Sequence, residues 1–193
     1  HGHYDHAGGL LAFAERNREA RIWINRLAAE TYYHKNAAME RYIGMDSRIR
    51  TLPQVEGVEG NQKIDEGIFL FGQALGRRLW PGGNRELMRK TAEGFAQDDF
   101  LHEQYLVLEE RGKRVLISGC ADNGILNILD RYREIYEEDP DVVVGGFHMS
   151  RKSDYRQADY ALISDTAREL QKLRTRFFTG HCTGELPYRI LKE

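Results

Sequence analysis

His1 to Leu10 read H-G-H-Y-D-H-A-G-G-L, with three imidazoles and one carboxylate in the first six positions. Imidazole nitrogen and carboxylate oxygen are donors that zinc, iron and manganese accept. Alternate side chains of an extended segment point the same way, so His1 and His3 can hold one ion. Asp5 and His6, past the turn, can hold a second, and Ala7-Gly8-Gly9 suits a tight loop around it. The competing explanation is an expression-tag remnant or a surface histidine cluster. A tag, however, does not run into D-H-A-G-G-L followed by an amphipathic helix.

Outward from this motif, Leu10 to Asn17 has helical spacing and Arg21 to Asn25 reads as a short strand. Gly67 to Gly72 (GIFLFG) is a further short apolar strand. Gln73 to Asp99 mixes Gly, Pro and charge and is predicted to be a long loop or lid. Gln104 to Glu109 and Lys113 to Ser118 flank Glu110–Gly112 and predict a hairpin. Gly124 to Glu137 is helical, Asp141 to Gly145 (DVVVG) a buried-type strand, and Asp154 to Leu173 a helix with Asp154 placed to cap it. Thr175 to Thr179 is a last strand and Gly184 to Lys192 a terminal helix. Strands alternating with helices in this order predict an α+β fold, a mixed sheet covered by helices.

The 193 residues suit one domain, 1–193, since no repeat or Pro/Ser-rich linker divides them. A net charge of −2 argues against a nucleic-acid partner, and no apolar run approaches the ~18 residues of a membrane helix. Cys120 and Cys182 are too few for a disulfide framework, which makes a reducing cytoplasm the default expectation. Each cysteine lies beside a candidate metal motif, where a soft ligand or a small packing residue both fit. Arg77, Arg78, Arg85, Arg89 and Lys90 either meet an anionic substrate or form a solvated face. Tyr32, Tyr33 and Tyr42 read as core or rim, and Glu103-Gln104 as groups that orient ligands.

The opening H-G-H-Y-D-H-A-G-G-L resembles the signature of the metallo-β-lactamase superfamily. I-S-G-C-A-D-N-G-I-L-N-I-L (Ile117 to Leu129), F-F-T-G-H-C-T-G (Phe177 to Gly184), D-D-F-L-H-E-Q (Asp98 to Gln104) and V-G-G-F-H-M (Val144 to Met149) resemble one branch more closely. That branch comprises the metal-dependent hydrolases related to dihydropterin-ribofuranosylaminobenzene phosphate synthase. The resemblance covers nearly the whole chain. It implies an αββα sandwich with metals at one edge, and family strands before the histidine motif that lie outside these residues. It also implies that His1 and His3 bind a first metal while Asp5, His6 and His181 bind a second. His148, at a strand end after Gly145-Gly146, reads as a substrate- or metal-contacting group or as a hydrogen bonder behind the ligands, and Thr183 as a candidate substrate contact.

Asp122 departs from the pattern, because the family usually carries a ligand histidine at that place of the G-C-A-D segment. If Asp122 binds metal, the first site has two histidines and a carboxylate. If it faces away, it caps the following helix through the amide of Gly124 or Ile125. The expected cofactors are one or two divalent ions, zinc foremost, with iron or manganese as alternatives. The expected function is hydrolysis of an anionic, phosphorylated small molecule, with Asp5 orienting the attacking water and His148 assisting. The rivals are a synthase-like transferase and a metal-binding domain impaired by Asp122.

Overall fold

The computed structural model describes residues 1–151 and 153–193. The histidine motif is extended only at its start. His3 forms a lone bridge to Gly44, and its carbonyl accepts from the amides of His6 and Ala7 to begin helix α1 (Tyr4–Ala7). Helix α2 (Leu10–Arg16) follows, and Leu10 and Leu11 pack with Ala7, Ala28, Met45 and Ile49 in a small apolar cluster. The next strands are β1 (Ile22–Asn25), β2 (Tyr32–Lys35), β3 (Glu40–Tyr42), β4 (Val55–Val58), β5 (Gln62–Asp65) and β6 (Ile68–Gly72).

The expected loop over 73–99 is instead partly sheet. It contains β7 (Leu87–Thr91) and β8 (Gly94–Gln97), which pair as a hairpin and join β2 and β3 in a four-stranded sheet of order β3-β2-β7-β8. These strands are half-exposed (LMRKT, GFAQ), so they carry little of the apolar alternation that marks a strand in sequence. The hairpin of β9 (Gln104–Glu110) and β10 (Lys113–Ile117) turns at Arg111 and Gly112. Their φ angles of 51° and 70° fit a two-residue turn with both central residues left-handed.

Helix α3 (Ile125–Tyr136) leads to β11 (Val142–Gly145), helix α4 (Gln157–Leu170) to β12 (Arg176–Thr179), and α5 (Glu185–Lys192) closes the chain. Helix α4 starts three residues after Asp154. Its capping group is Asp159, whose carboxylate accepts from the Arg156 amide at 2.8 Å. The six-stranded sheet has the order β12-β11-β10-β9-β6-β5, with β10, β11 and β12 mutually parallel. Parallel neighbours need crossovers, and α3 and α4 supply them. Tyr105, Val107, Leu116 and Val143 point from this sheet into one core with Ile125, Ile128, Leu129 and Tyr132 of α3 and Ile163 and Leu170 of α4. Among the described residues no helix is long and apolar enough to cross a membrane.

Candidate metal centre

The loops leaving β10, β11 and β12 carry Asp122, His148 and His181, and the histidine motif lies against them. Loops at the carboxyl ends of parallel strands are where open α/β sheets gather ligand groups. Among the groups of donor atoms that lie within 4.8 Å of one another are two sets, His1, His3 and Asp122, and Asp5, His6 and His181. In the first set, Asp122 Oδ2 is 3.5 Å from His1 Nε2 and 3.8 Å from His3 Nδ1. In the second, His181 Nε2 is 3.3 Å from His6 Nε2 across 175 sequence positions, and Asp5 Oδ2 is 3.9 Å from His6 Nε2. The His1 and His6 rings, 4.2 Å apart by centroid, join the two sets. Burial lowers the His6 pKa, an effect that Asp5 opposes.

The main chain at Asp122 is fixed by a buried glutamate. Glu103 Oε1 accepts from the Asp122 amide at 2.7 Å. Its Oε2 accepts from the Asn123 amide at 3.0 Å, the Asn123 side chain at 2.9 Å and the Tyr105 hydroxyl at 2.7 Å. Burial, followed by the charge of Asp122, pushes the Glu103 carboxyl up to about 7, against the pull of these bonds. Asn84 Nδ2 donates to the Asp122 carbonyl at 2.6 Å. The Asp122 side chain does not cap α3, whose N-cap is Gly124 with no side-chain bond. It is fully buried and turned towards histidines instead.

Asp122 Oδ1 lies 2.6 Å from His148 Nδ1. Neither atom meets hydrogen-bond geometry, so the approach is oblique and the contact is one of charge. Burial opposes both charges, but each partner outweighs it: the His148 pKa is raised well above that of a free imidazole, and the Asp122 carboxyl stays well below the usual range. His1 Nε2, His3 Nε2 and both Asp122 oxygens are likewise buried without hydrogen-bond partners. Buried polar atoms are ordinarily satisfied, and a cluster of unpaired nitrogens and carboxylate oxygens has the chemistry of a cation site. The residues present therefore fit a divalent metal.

Thr183 is fully buried. Its hydroxyl accepts from the Phe147 amide at 3.0 Å and lies against the Thr179 hydroxyl, so it braces two loops rather than facing open space. Cys120 is also buried, yet its Sγ lies 2.9 Å from His6 Nε2, and it groups with His148 and Cys182 as well as with His1 and His6. A Cβ on Gly146 would fall 2.4 Å from Cys182 Sγ, so only glycine admits this thiol. The basic residues of the 73–99 segment are largely engaged elsewhere. Arg77 bonds Gly76, Asn123 and Asp99, Arg78 pairs with Asp130 and Glu169, and Arg89 pairs with Glu30 and Asp99. Lys90 lies over the Tyr33 and Phe95 rings.

Asp98 and His102 escaped sequence reasoning. Both are fully buried, and with His3 they form a further group of close donor atoms. Their i, i+4 spacing within D-D-F-L-H-E-Q was the available signal.

Compared with known proteins, the chain matches no established family profile. Protein MJ0448 of Methanocaldococcus jannaschii, itself uncharacterized, is 28% identical over 163 residues, which is 80% of this chain and 57% of that protein. The chain thus spans little more than half the length of that curated relative. The crystal structure of Tm1679, described as a metal-dependent hydrolase of the beta-lactamase superfamily, is 32% identical and superposes with a TM-score of 0.79, covering 100% of this chain and 70% of that one. The fold is that of metallo-β-lactamase proteins. The chain belongs to the metallo-β-lactamase superfamily.

Proposed function

We propose that the protein is a metal-dependent hydrolase with a two-ion centre, acting on a phosphorylated or otherwise anionic small molecule. The observation that carries this reading is the adjacency of two donor sets around unpaired, buried nitrogen and carboxylate atoms. His1, His3 and Asp122 would hold one ion, and Asp5, His6 and His181 the other. When bound, divalent ions supply Lewis acidity towards a water and towards the carbonyl or phosphoryl oxygen under attack. Zinc is the first candidate. Two imidazoles with one carboxylate also suit iron(II) or manganese(II).

The chain's own groups supply the rest. Asp5, about half exposed beside His6, can orient a water and accept its proton at a carboxylate oxygen. His148 keeps a proton on Nδ1 against Asp122, which leaves its Nε2–H free to hydrogen-bond a substrate oxygen. Gly83 borders that ring edge, where an added Cβ would come within 3.6 Å of Nε2. The phosphorylated class comes from the motif resemblance to the pterin-related branch, and the engaged arginines lend it no support.

The test is metal analysis of the purified protein, followed by turnover of a chromogenic phosphodiester, phosphomonoester and lactone. Two equivalents of metal with metal-dependent release from a phosphate ester are expected. Metal bound without any turnover would favour the impaired domain. A condensation product from a pterin diphosphate and a ribofuranosylaminobenzene phosphate would favour the synthase reaction. Absence of metal binding overturns the proposal.

A further inference from the structure

His3 presents its two ring nitrogens to two different carboxylates. Nδ1 lies 3.8 Å from Asp122 Oδ2, and Nε2 lies 3.7 Å from Asp98 Oδ2. Only a nitrogen without a proton can donate a lone pair to a cation, so the tautomer of His3 decides which direction can bind.

Hydrogen bonds fix the tautomer of the neighbouring His102, and through Asp98 they bias that of His3. The Gly2 amide, which can only donate, lies 2.9 Å from His102 Nδ1. His102 Nδ1 is therefore the bare nitrogen, and the proton sits on Nε2. His102 Nε2 faces Asp98 Oδ2 at 3.1 Å and donates to it. Asp98 Oδ1 accepts from the Phe100 amide at 2.9 Å. Both carboxylates face His3 at charge-contact distance and beyond hydrogen-bond length. Asp122 is already opposed by the His148 ring at 2.6 Å, whereas Asp98 Oδ2 meets only the neutral His102 Nε2–H, so Asp98 is the stronger pull and the proton of His3 goes to Nε2. His3 Nδ1 is left bare and directed at the side of Asp122.

The geometry is built to hold. Asp98 and His102 are fully buried, and the rings of Tyr32 and Phe100 flank His3 and His102. The Gly2 amide reaches His102 because position 2 has no side chain: a Cβ there would lie 2.4 Å from the Ala28 carbonyl oxygen. That accounts for the glycine between the first two histidines.

We propose that Asp98, anchored by His102, is a positioning residue that sets the His3 tautomer so that Nδ1 faces the first metal position. The inference rests on the reading of His3 as a ligand, but its first readout does not need metal. Nitrogen-15 NMR of metal-free protein at about pH 8, where a free imidazole is neutral, reports which nitrogen of His3 carries the proton. The wild type should show His3 protonated on Nε2. Asp98→Asn should show a mixture, together with a loss of zinc affinity at one position of about 10- to 100-fold by calorimetry. A wild-type His3 protonated on Nδ1 overturns the proposal whether or not the variant folds. So does a folded Asp98→Asn whose His3 tautomer and zinc affinity are unchanged while only its thermal midpoint falls. A wild type that binds no zinc but shows the Nε2–H tautomer defeats the metal reading and leaves the Asp98 assignment standing.

Discussion

One oxygen of Asp122 lies 2.6 Å from His148 Nδ1, while the other lies 3.5 Å from His1 Nε2. A single buried carboxylate thus faces the candidate metal position on one side and the candidate substrate histidine on the other. A histidine in its place could not serve both neighbours as an acceptor while carrying the same charge. Aspartate at position 122 therefore ties His148 to the first donor set.

Asp122→Asn keeps the shape and removes the charge. Metal at the first position should weaken by at least about tenfold, the order of loss seen when a metal site loses one supporting interaction. Separately, the pKa of His148 should fall in metal-free protein, because the neighbouring charge that holds it up is gone. Histidine NMR titration with metal analysis on the same sample checks both. Unchanged values for both would show that Asp122 serves neither neighbour.

His181 reaches His6 from the far end of the chain, and its side chain has no place in the buried first set. His181→Ala should remove one equivalent of metal and spare the other. Stoichiometry at saturating zinc decides the matter, and loss of both equivalents, or of neither, would contradict the division into two sets.

The clamp on the Asp122 loop also has a predicted strength. Glu103→Gln places an amide NH2 against the donors that now meet a carboxylate oxygen, leaving buried amides unpaired. At about pH 8, where a carboxyl raised to about 7 is ionised, charge-assisted bonds contribute about 1.5–3 kcal/mol each, so a loss of about 3 kcal/mol is expected. For a domain of this size that is a fall in thermal midpoint of about 6–12 °C. A midpoint within about 1 °C of wild type would mean the carboxylate is already protonated in the folded protein.

How far these groups could be seen in the sequence depends on whether their signal is local. Val115–Ile117 and Val142–Val144 are apolar runs, and Ile125–Tyr136 has a full helical stripe, so β10, β11 and α3 emerge at nearly their final bounds. Strands β7 and β8 did not, because a half-exposed edge hairpin gets its order from pairing with β2 rather than from its own pattern. His1, His3, Asp5 and His6 are neighbours in sequence, whereas Asp122 was reached through motif resemblance, and His181 through that resemblance and its place just after the predicted strand Thr175 to Thr179. The His102 anchor joins groups 100 positions apart and has no local signature. Ala121, His148 and His181 have φ angles of 56°, 48° and 50°, and no glycine at these positions advertises the left-handed backbone.

Acid should unfold the metal-free protein in a window that Asp98 helps to set. Burial alone would raise its pKa, but the hydrogen bond from His102, the nearby His3 ring and the Phe100 amide outweigh it and hold the carboxyl at about 2, below the ordinary 3.8. With the folded pKa below the unfolded one, the stabilisation is fully present above the unfolded value and disappears as pH falls through the folded value. A difference of nearly two units corresponds to about 2–2.5 kcal/mol. Asp122 is depressed in the same direction and adds to the effect, so neither residue accounts for the whole slope. The informative comparison is the slope of urea stability between about pH 4 and pH 2 in chelator-treated wild type and Asp98→Asn. The variant should be less stable at the upper end and should converge on the wild type at the lower end. Parallel curves across the window would show that Asp98 titrates alike in the folded and unfolded chains, and that His102 and His3 do not stabilise its charge.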